Sequence, residues 1–253
     1  GKTRLALDIA RQMLIKGMIK KIIVFGDSTT DLAEQWGDEI AEWRAINSLN
    51  KLMQFRGNKA EGEFKFWGGQ AIISLRWDPV NIESILNPYL KGHEKKDEVL
   101  IIFDEVHGFA IDSMEGHDFT LKDFPYTLGL SATPERGYDK DGDEFRESEV
   151  GKTIFVFGLK EAIADGVLSP FNYHPIEVNL SALDMKKVQQ KMAAAVNDKK
   201  KNPKNKKIID KRVSMEIATV YQMAENKPEV FSQYVTKYPD SVKNCIIFCA
   251  QHT

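Results

Sequence analysis

Leu100-Ile101-Ile102-Phe103-Asp104-Glu105-Val106-His107 is an apolar run that ends on two adjacent carboxylates, with a histidine two residues further on. The run begins at Val99 and leaves no polar face, so it predicts a strand buried on both sides. Such strands belong to parallel sheets, and ligands of open α/β sheets collect at the carboxyl ends of the strands. Asp104 and Glu105 stand at such an end. An aspartate there can hold magnesium, directly or through water, and the next glutamate can polarise the water that attacks a γ-phosphate. An isolated Asp-Glu pair can equally well start a surface turn. What surrounds it decides between the two.

Outward from this run the same pattern repeats. Lys21 to Phe25, Ala71 to Leu75 and Tyr126 to Leu130 are further short apolar runs. Between them lie helical periodicities. Leu5, Ile9, Met13 and Ala6, Ala10, Leu14 predict a helix from about residue 3 to 16, with Gly17 as its stop. Leu32, Trp36 and Ile40 predict a second, capped by Ser28 or Thr29, and residues 81–89 a third. Short strands alternating with amphipathic helices predict an α/β fold, a parallel sheet with helices on both faces.

Two further motifs sit at the right places. Gly1-Lys2-Thr3 heads the first helix and has the form of the last three residues of a phosphate-binding loop. N–H groups at a helix N-terminus, with the positive end of its dipole, face an anion. Lys2 would reach the β- and γ-phosphates of ATP, with Gly1, Thr3 and Arg4 beside it, and the Thr3 hydroxyl can ligate Mg2+ together with Asp104. The triplet recurs as Gly151-Lys152-Thr153, but that copy precedes the strand-like Ile154 to Phe157 and opens no helix. Leu130-Ser131-Ala132-Thr133-Pro134 follows another apolar run; Ser131 and Thr133 could bond the neighbouring carboxylates and relay their state, or simply form a turn.

In this order, the three motifs resemble motifs I, II and III of superfamily-two helicases and translocases, and Asp104-Glu105-Val106-His107 resembles the DEAH-type box. The stretch Phe157-Gly158-Leu159-Lys160-Glu161-Ala162-Ile163-Ala164-Asp165-Gly166-Val167-Leu168 is similar to the inter-domain segment of type I and type III restriction-enzyme motor subunits and allied DNA-repair translocases. Asn244 to Ala250 resembles motif IV. The resemblance implies a RecA-like P-loop domain over residues 1–170, and over 171–253 a linker and the start of a second RecA-like domain. It implies an ATP-driven helicase or duplex DNA translocase using ATP and Mg2+, in a restriction, phage-defence or repair system. Lys2, Asp104, Glu105 and His107 would be catalytic, with His107 linking ATP state to the partner domain. Gln35, in a Gln35-Trp36 match to motif Ia, and Ser74 and Arg76 at motif Ib would meet nucleic acid. Asp27, where relatives carry a proline-containing turn, departs from the pattern. Arg76 and Trp77 can also be ordinary surface and core residues, and Trp43 reads as core.

Composition sets the frame. With 35 basic and 37 acidic residues the net charge of -2 is silent about a nucleic-acid partner; only the distribution could speak. The run from Lys199 to Lys207 reads as a basic loop, either solvated or contacting DNA by counterion release. Asp139 to Glu149 reads as a solvated acidic loop, Phe155 to Gly166 as helix-like and Tyr173 to Leu180 as a strand. Ile208 to Ala224 and Pro228 to Lys237 read as helices, and Asn244 to Cys249 as a last strand. Cys245 and Cys249 suggest no disulfide framework, and no run is long and apolar enough to span a membrane, so a reducing, cytoplasmic location is expected. His93, His117 and His174 lack metal-ligand spacing. DNA is favoured over RNA by the resemblance alone, and a nuclease or other subunits would be partners. Both chain ends read as cuts through a longer polypeptide, so these 253 residues by themselves are expected to be close to inactive. A regulatory or scaffolding nucleotide-binding module is the alternative; intact Lys2 and Glu105 argue against it.

Overall fold

The computed structural model describes residues 1–26, 30–76, 78–108, 120–133, 140–171 and 173–243, with the side chains of 30–33, 140–141, 204, 207–208 and 211 excepted. Readings that fall on Asp27, Ser28, Thr29, Trp77, His117, Pro134, the Leu32 side chain and the run from Asn244 to Ala250 lie outside the described residues.

Five strands form one sheet in the order β2-β3-β1-β4-β5, where β1 is Lys21–Gly26, β2 Met53–Arg56, β3 Ala71–Arg76, β4 Val99–Phe103 and β5 Thr127–Gly129. Every neighbouring pair is parallel. β1, β3 and β4 are buried almost throughout because their residues alternate between two cores. On one face Ile23, Phe25, Ile73, Leu75, Ile101 and Phe103 pack against helices α3 (Glu61–Phe66) and α4 (Pro79–Leu90). On the other, Ile22, Val24, Ile72, Leu100 and Ile102 meet α1 (Lys2–Ile15) and α2 (Thr30–Ile46). This is the α/β architecture read from the sequence, of RecA-like class.

Of the two stripes predicted on α1, the one through Ala6, Ala10 and Leu14 is buried, while Leu5 is exposed. The helix stops as expected: Gly17 takes φ +67°, and Met18 N donates to Met13 O across the turn, a closure that favours glycine. α4 starts earlier than its periodicity suggests, because Asp78 accepts from Asn81 N at 2.9 Å and Pro79 sits where a helix tolerates proline.

Several expectations need correction. Residues 140–149 are not a loop but helix α5 (Lys140–Glu149). Its end is held by Glu149, which accepts from Leu121 N and Thr120 Oγ1, and Phe145 packs on the core. Residues 151–158 form no regular element, and helix α6 is confined to Leu159–Ala164. Tyr173 to Leu180 forms no strand. The basic loop is mostly helix: α7 (Ala182–Lys201) runs into it, Pro203–Asn205 is one 3-10 turn, and α8 (Lys206–Gln222) starts at once. Lysine is a good helix former and favours a helix C-terminus, so three lysines extend α7 rather than end it.

The chain divides into two compact units, Gly1–Gly158 and Leu159–Thr253; the sequence expectation set its boundary near residue 170. The second unit is built on the antiparallel hairpin α7–α8, with Ala195, Ile209 and Val213 between the helices, followed by α9 (Lys227–Lys237). Asp184 ties its open end together. The carboxylate accepts from Glu225 N at 2.9 Å and from Lys187 Nζ at 3.1 Å, and Ser181 Oγ caps α7 by accepting from Asp184 N. Among the described residues no helix is long and apolar enough to cross a membrane.

Candidate active site

β1 and β4 lie side by side, with Phe25 opposite Phe103 and their rings stacked at 5.1 Å. The ladder continues one step, as Asp104 N donates to Phe25 O at 2.8 Å. Then the chain turns sharply. Glu105 adopts φ +46°, a left-handed conformation that costs a non-glycine residue about 1–2 kcal/mol. Gly108 N closes the turn on Glu105 O, and Val106 N donates to Leu130 O beyond β5. Gly129 allows this approach: a Cβ there would lie 3.0 Å from Val106 Cγ1. The turn holds Asp104, Glu105 and His107 together at the sheet's carboxyl edge instead of letting them diverge along a strand.

The leading end of α1 meets this turn. Lys2 Nζ donates to Glu105 Oε1 at 2.9 Å, both side chains being partly exposed. Gly1 offers no side-chain cap and the first turn of α1 contains no acid. Its N–H donors and Lys2 therefore form a positive corner suited to an anion. The other oxygen, Glu105 Oε2, lies 3.2 Å from His107 Nδ1, which is also 3.1 Å from Ser131 Oγ. A carboxylate oxygen needs a donor, so the hydrogen belongs on Nδ1. Ser131 Oγ in turn accepts from Thr133 N at 3.0 Å. Lys2, Glu105, His107, Ser131 and the backbone of Thr133 thus form one continuous chain of contacts.

Asp104 is held differently. Its Oδ1 accepts from Glu105 N at 3.0 Å and its Oδ2 from Trp36 Nε1 at 2.8 Å. It has no cationic partner among the described residues. A carboxylate fixed by two N–H donors but not neutralised suits a hard cation. Magnesium characteristically binds through one or two carboxylates, several waters and substrate phosphates, and Asp104 with the Thr3 hydroxyl provides that kind of oxygen donor. No cluster of three or more potential metal-ligating side chains occurs among the described residues.

The remaining predicted residues lie elsewhere. Arg4 bonds Glu42 at 3.0 Å and Glu39 at 3.1 Å on α2. The hydrogen bond that Arg4 donates to Glu42, then the charge of Glu42, holds that guanidinium above its ordinary value. Arg4 is thereby committed to α2. Gln35 is exposed, but in a cleft lined by Glu34, Asp38, Glu39 and Glu42, an acidic setting that opposes a phosphate backbone. Ser74 is only 2% exposed, on the α1–α2 face of β3, so its hydroxyl does not reach a strand lying on the surface. Arg76 is exposed at the end of β3, 3.7 Å from Asp78. Lys152, in the second Gly-Lys-Thr, is exposed in a segment that opens no helix. Trp43 is buried in the core as expected. The role of Trp36 as partner of Asp104 was missed, since nothing local signals a bond spanning 68 residues.

Residues 1–136 match the family described as type III restriction enzyme, res subunit. The chain belongs to that family. It is also similar to the DNA 3'-5' translocase XPB2 of Sulfurisphaera tokodaii, with 28% identity over 189 residues, which is 74% of this chain and 36% of the relative. The chain therefore spans about a third of the length of that translocase. These likenesses place it among the superfamily-two helicase and translocase motors.

Proposed function

We propose that the unit from Gly1 to Gly158 is the ATP-binding half of a nucleic-acid-dependent ATPase, a DNA translocase or helicase in a restriction, phage-defence or repair system. Residues 1–170 would be its first RecA-like domain and 171–253 the entry to the second. The 2.9 Å contact between Lys2 and Glu105 carries the reading. It puts the helix end that would hold the phosphates within one side chain of the group that would activate water.

The chemistry follows from an exchange of partners. Lys2 and Glu105 neutralise each other in a solvent-accessible pair, the kind worth roughly 0–1 kcal/mol. A triphosphate at the head of α1 therefore competes for Lys2 at little cost. Its capture frees Glu105 Oε1 to accept a hydrogen bond from water, while His107 still holds Oε2. The water oxygen bonds to the γ-phosphorus as the bond from that phosphorus to the β–γ bridging oxygen breaks; Glu105 orients the water, its proton passes to the departing phosphate or to solvent, and ADP and phosphate leave. Magnesium, held by Asp104 and Thr3, would neutralise charge on the phosphates. The change at Glu105 would pass through His107 to Ser131 and the backbone of Thr133, the proposed relay toward a second domain.

Intact Lys2 and Glu105 favour this motor over a regulatory or scaffolding module that only binds nucleotide. Glu105→Gln in the complete protein is expected to abolish ATP turnover while ATP binding persists. Hydrolysis at the parent rate would reject the role of Glu105.

A further inference from the structure

Residues 198–212 contain eight basic and two acidic side chains, a local net of +6 in a chain whose formal net charge is -2. The fold gathers them at one end of the α7–α8 hairpin. Lys199, Lys200 and Lys201 end α7, a single turn follows, and Lys206 opens α8. Both acids are already engaged, Asp210 with Lys199 and Asp198 with Arg212. Lys200, Lys201 and Lys206 are exposed and have no ion-pair partner among the described residues.

The rest of the hairpin is arranged differently. Lys187 pairs with Asp184 and Lys191 with Glu216, so two of the three lysines of α7 away from the tip are neutralised along or across the helices, and the third, Lys186, stands alone rather than in a cluster. Helix stability accounts for lysines at the end of α7, where the dipole is negative, but not for Lys206 at the positive end of α8, where no acid occupies the first turn. Charge there is tolerated against local electrostatics. Helix ends joined by one turn also present it on a stiff support, whereas a mobile loop would have to be ordered on binding at an entropic cost.

We propose that the α7–α8 tip is a nucleic-acid contact of this motor, gripping the phosphate backbone through Lys200, Lys201 and Lys206 without reading sequence. It rests on the nucleic-acid reading of the preceding section and adds a contact surface outside the helicase motifs. The side chains are long point charges, and residues 198–212 include no aromatic, which suits phosphates rather than bases.

The test is fluorescence anisotropy of labelled duplex and single-stranded DNA with the complete protein, over a salt series. Replacing Lys200, Lys201 and Lys206 by glutamine is expected to weaken binding about tenfold or more and to flatten the salt slope by roughly two to three, near one per lost phosphate contact. A control carrying Lys152→Gln, Lys160→Gln and Lys186→Gln, all exposed lysines off the tip, should bind like the parent. If the triple variant loses helical circular dichroism, Lys206→Gln alone is measured instead, with a slope change of about one. An affinity and slope equal to the parent's would overturn the tip contact. So would polyglutamate competing as well as DNA at equal charge, which would mark an acidic protein partner. ATP turnover of the parent, with and without DNA, separates the two readings. Stimulated turnover with a silent tip variant rejects only the tip, whereas a parent that neither binds DNA nor responds to it rejects both.

Discussion

The indole N–H of Trp36 donates to Asp104 Oδ2 at 2.8 Å, joining helix α2 to the aspartate that follows β4. The tryptophan is buried and belongs to the α1–α2 core, so the carboxylate is aimed by a side chain that packing itself immobilises. A bond to a charged acceptor is worth about 1.5–3 kcal/mol. Trp36→Phe keeps most of the buried ring and removes the donor. The apparent affinity for Mg2+ in supporting ATP turnover is expected to fall about tenfold, the equivalent of roughly 1.4 kcal/mol, with a smaller loss of thermal stability. Magnesium titration of the variant checks this, and an unchanged magnesium dependence would leave Trp36 a core residue only.

Ser131 lies between His107 and the backbone of Thr133. Ser131→Ala removes the acceptor of Thr133 N and one of the two partners of His107 Nδ1, while the contact with Glu105 survives. ATP binding and basal turnover are then expected to stay within about twofold, and DNA-stimulated turnover to fall by about tenfold, the loss of roughly 1.4 kcal/mol of coupling. Stimulation equal to the parent's would place Ser131 in a turn without a relay.

How much of this was legible depended on the kind of signal each element carries. β1, β3 and β4 were readable because buried parallel strands are unbroken apolar runs, and β4 announced the site because its run ends on Asp104 and Glu105. β2 escaped notice: it is a four-residue edge strand, Met53-Gln54-Phe55-Arg56, with only Phe55 buried. α3 is six residues long and contains Gly62, too short for a period to register. α5 carries no local helical signal because its anchors, Glu149 and Phe145, bond and pack at long range. The charge of the basic run suggests a loop, although lysine permits helix. Within the site, motif order pointed to Lys2 and Glu105 together, whereas the acidic surroundings of Gln35, the burial of Ser74 and the commitment of Arg4 to α2 are tertiary facts.

Asp184 gives a pH signature to the second unit. The backbone N–H of Glu225, then Lys187 and Ser181, hold its carboxyl below the usual aspartate range, against the effect of burial. A carboxyl depressed on folding contributes stability in full above its unfolded value of about 3.9 and loses it as pH falls through the lower folded value. Asp184→Ala is therefore expected to lower the melting temperature of the helical signal at neutral pH. The gap between variant and parent should narrow below pH about 4. Melts followed by circular dichroism across that range test it, and a gap independent of pH would assign the effect to packing.

Gly129 and Val106 determine how closely β5 approaches the turn that carries Glu105. A Cβ at position 129 would meet Val106 Cγ1 at 3.0 Å and Cγ2 at 3.1 Å, and Val106 is itself buried and pinned through its N–H to Leu130 O. Neither side can retreat without moving the turn. Gly129→Ala is expected to cost about 1–3 kcal/mol by overpacking, and to slow ATP turnover more than it weakens ATP binding, because Glu105 moves while the head of α1 does not. Adding Val106→Ala removes the two closest atoms, Cγ1 and Cγ2, and leaves only the Cβ at 3.2 Å. The double variant should regain turnover relative to Gly129→Ala even though Val106→Ala alone destabilises. Kinetics and melts of the three variants decide the matter, and purely additive losses would show that the approach of these two residues does not position Glu105.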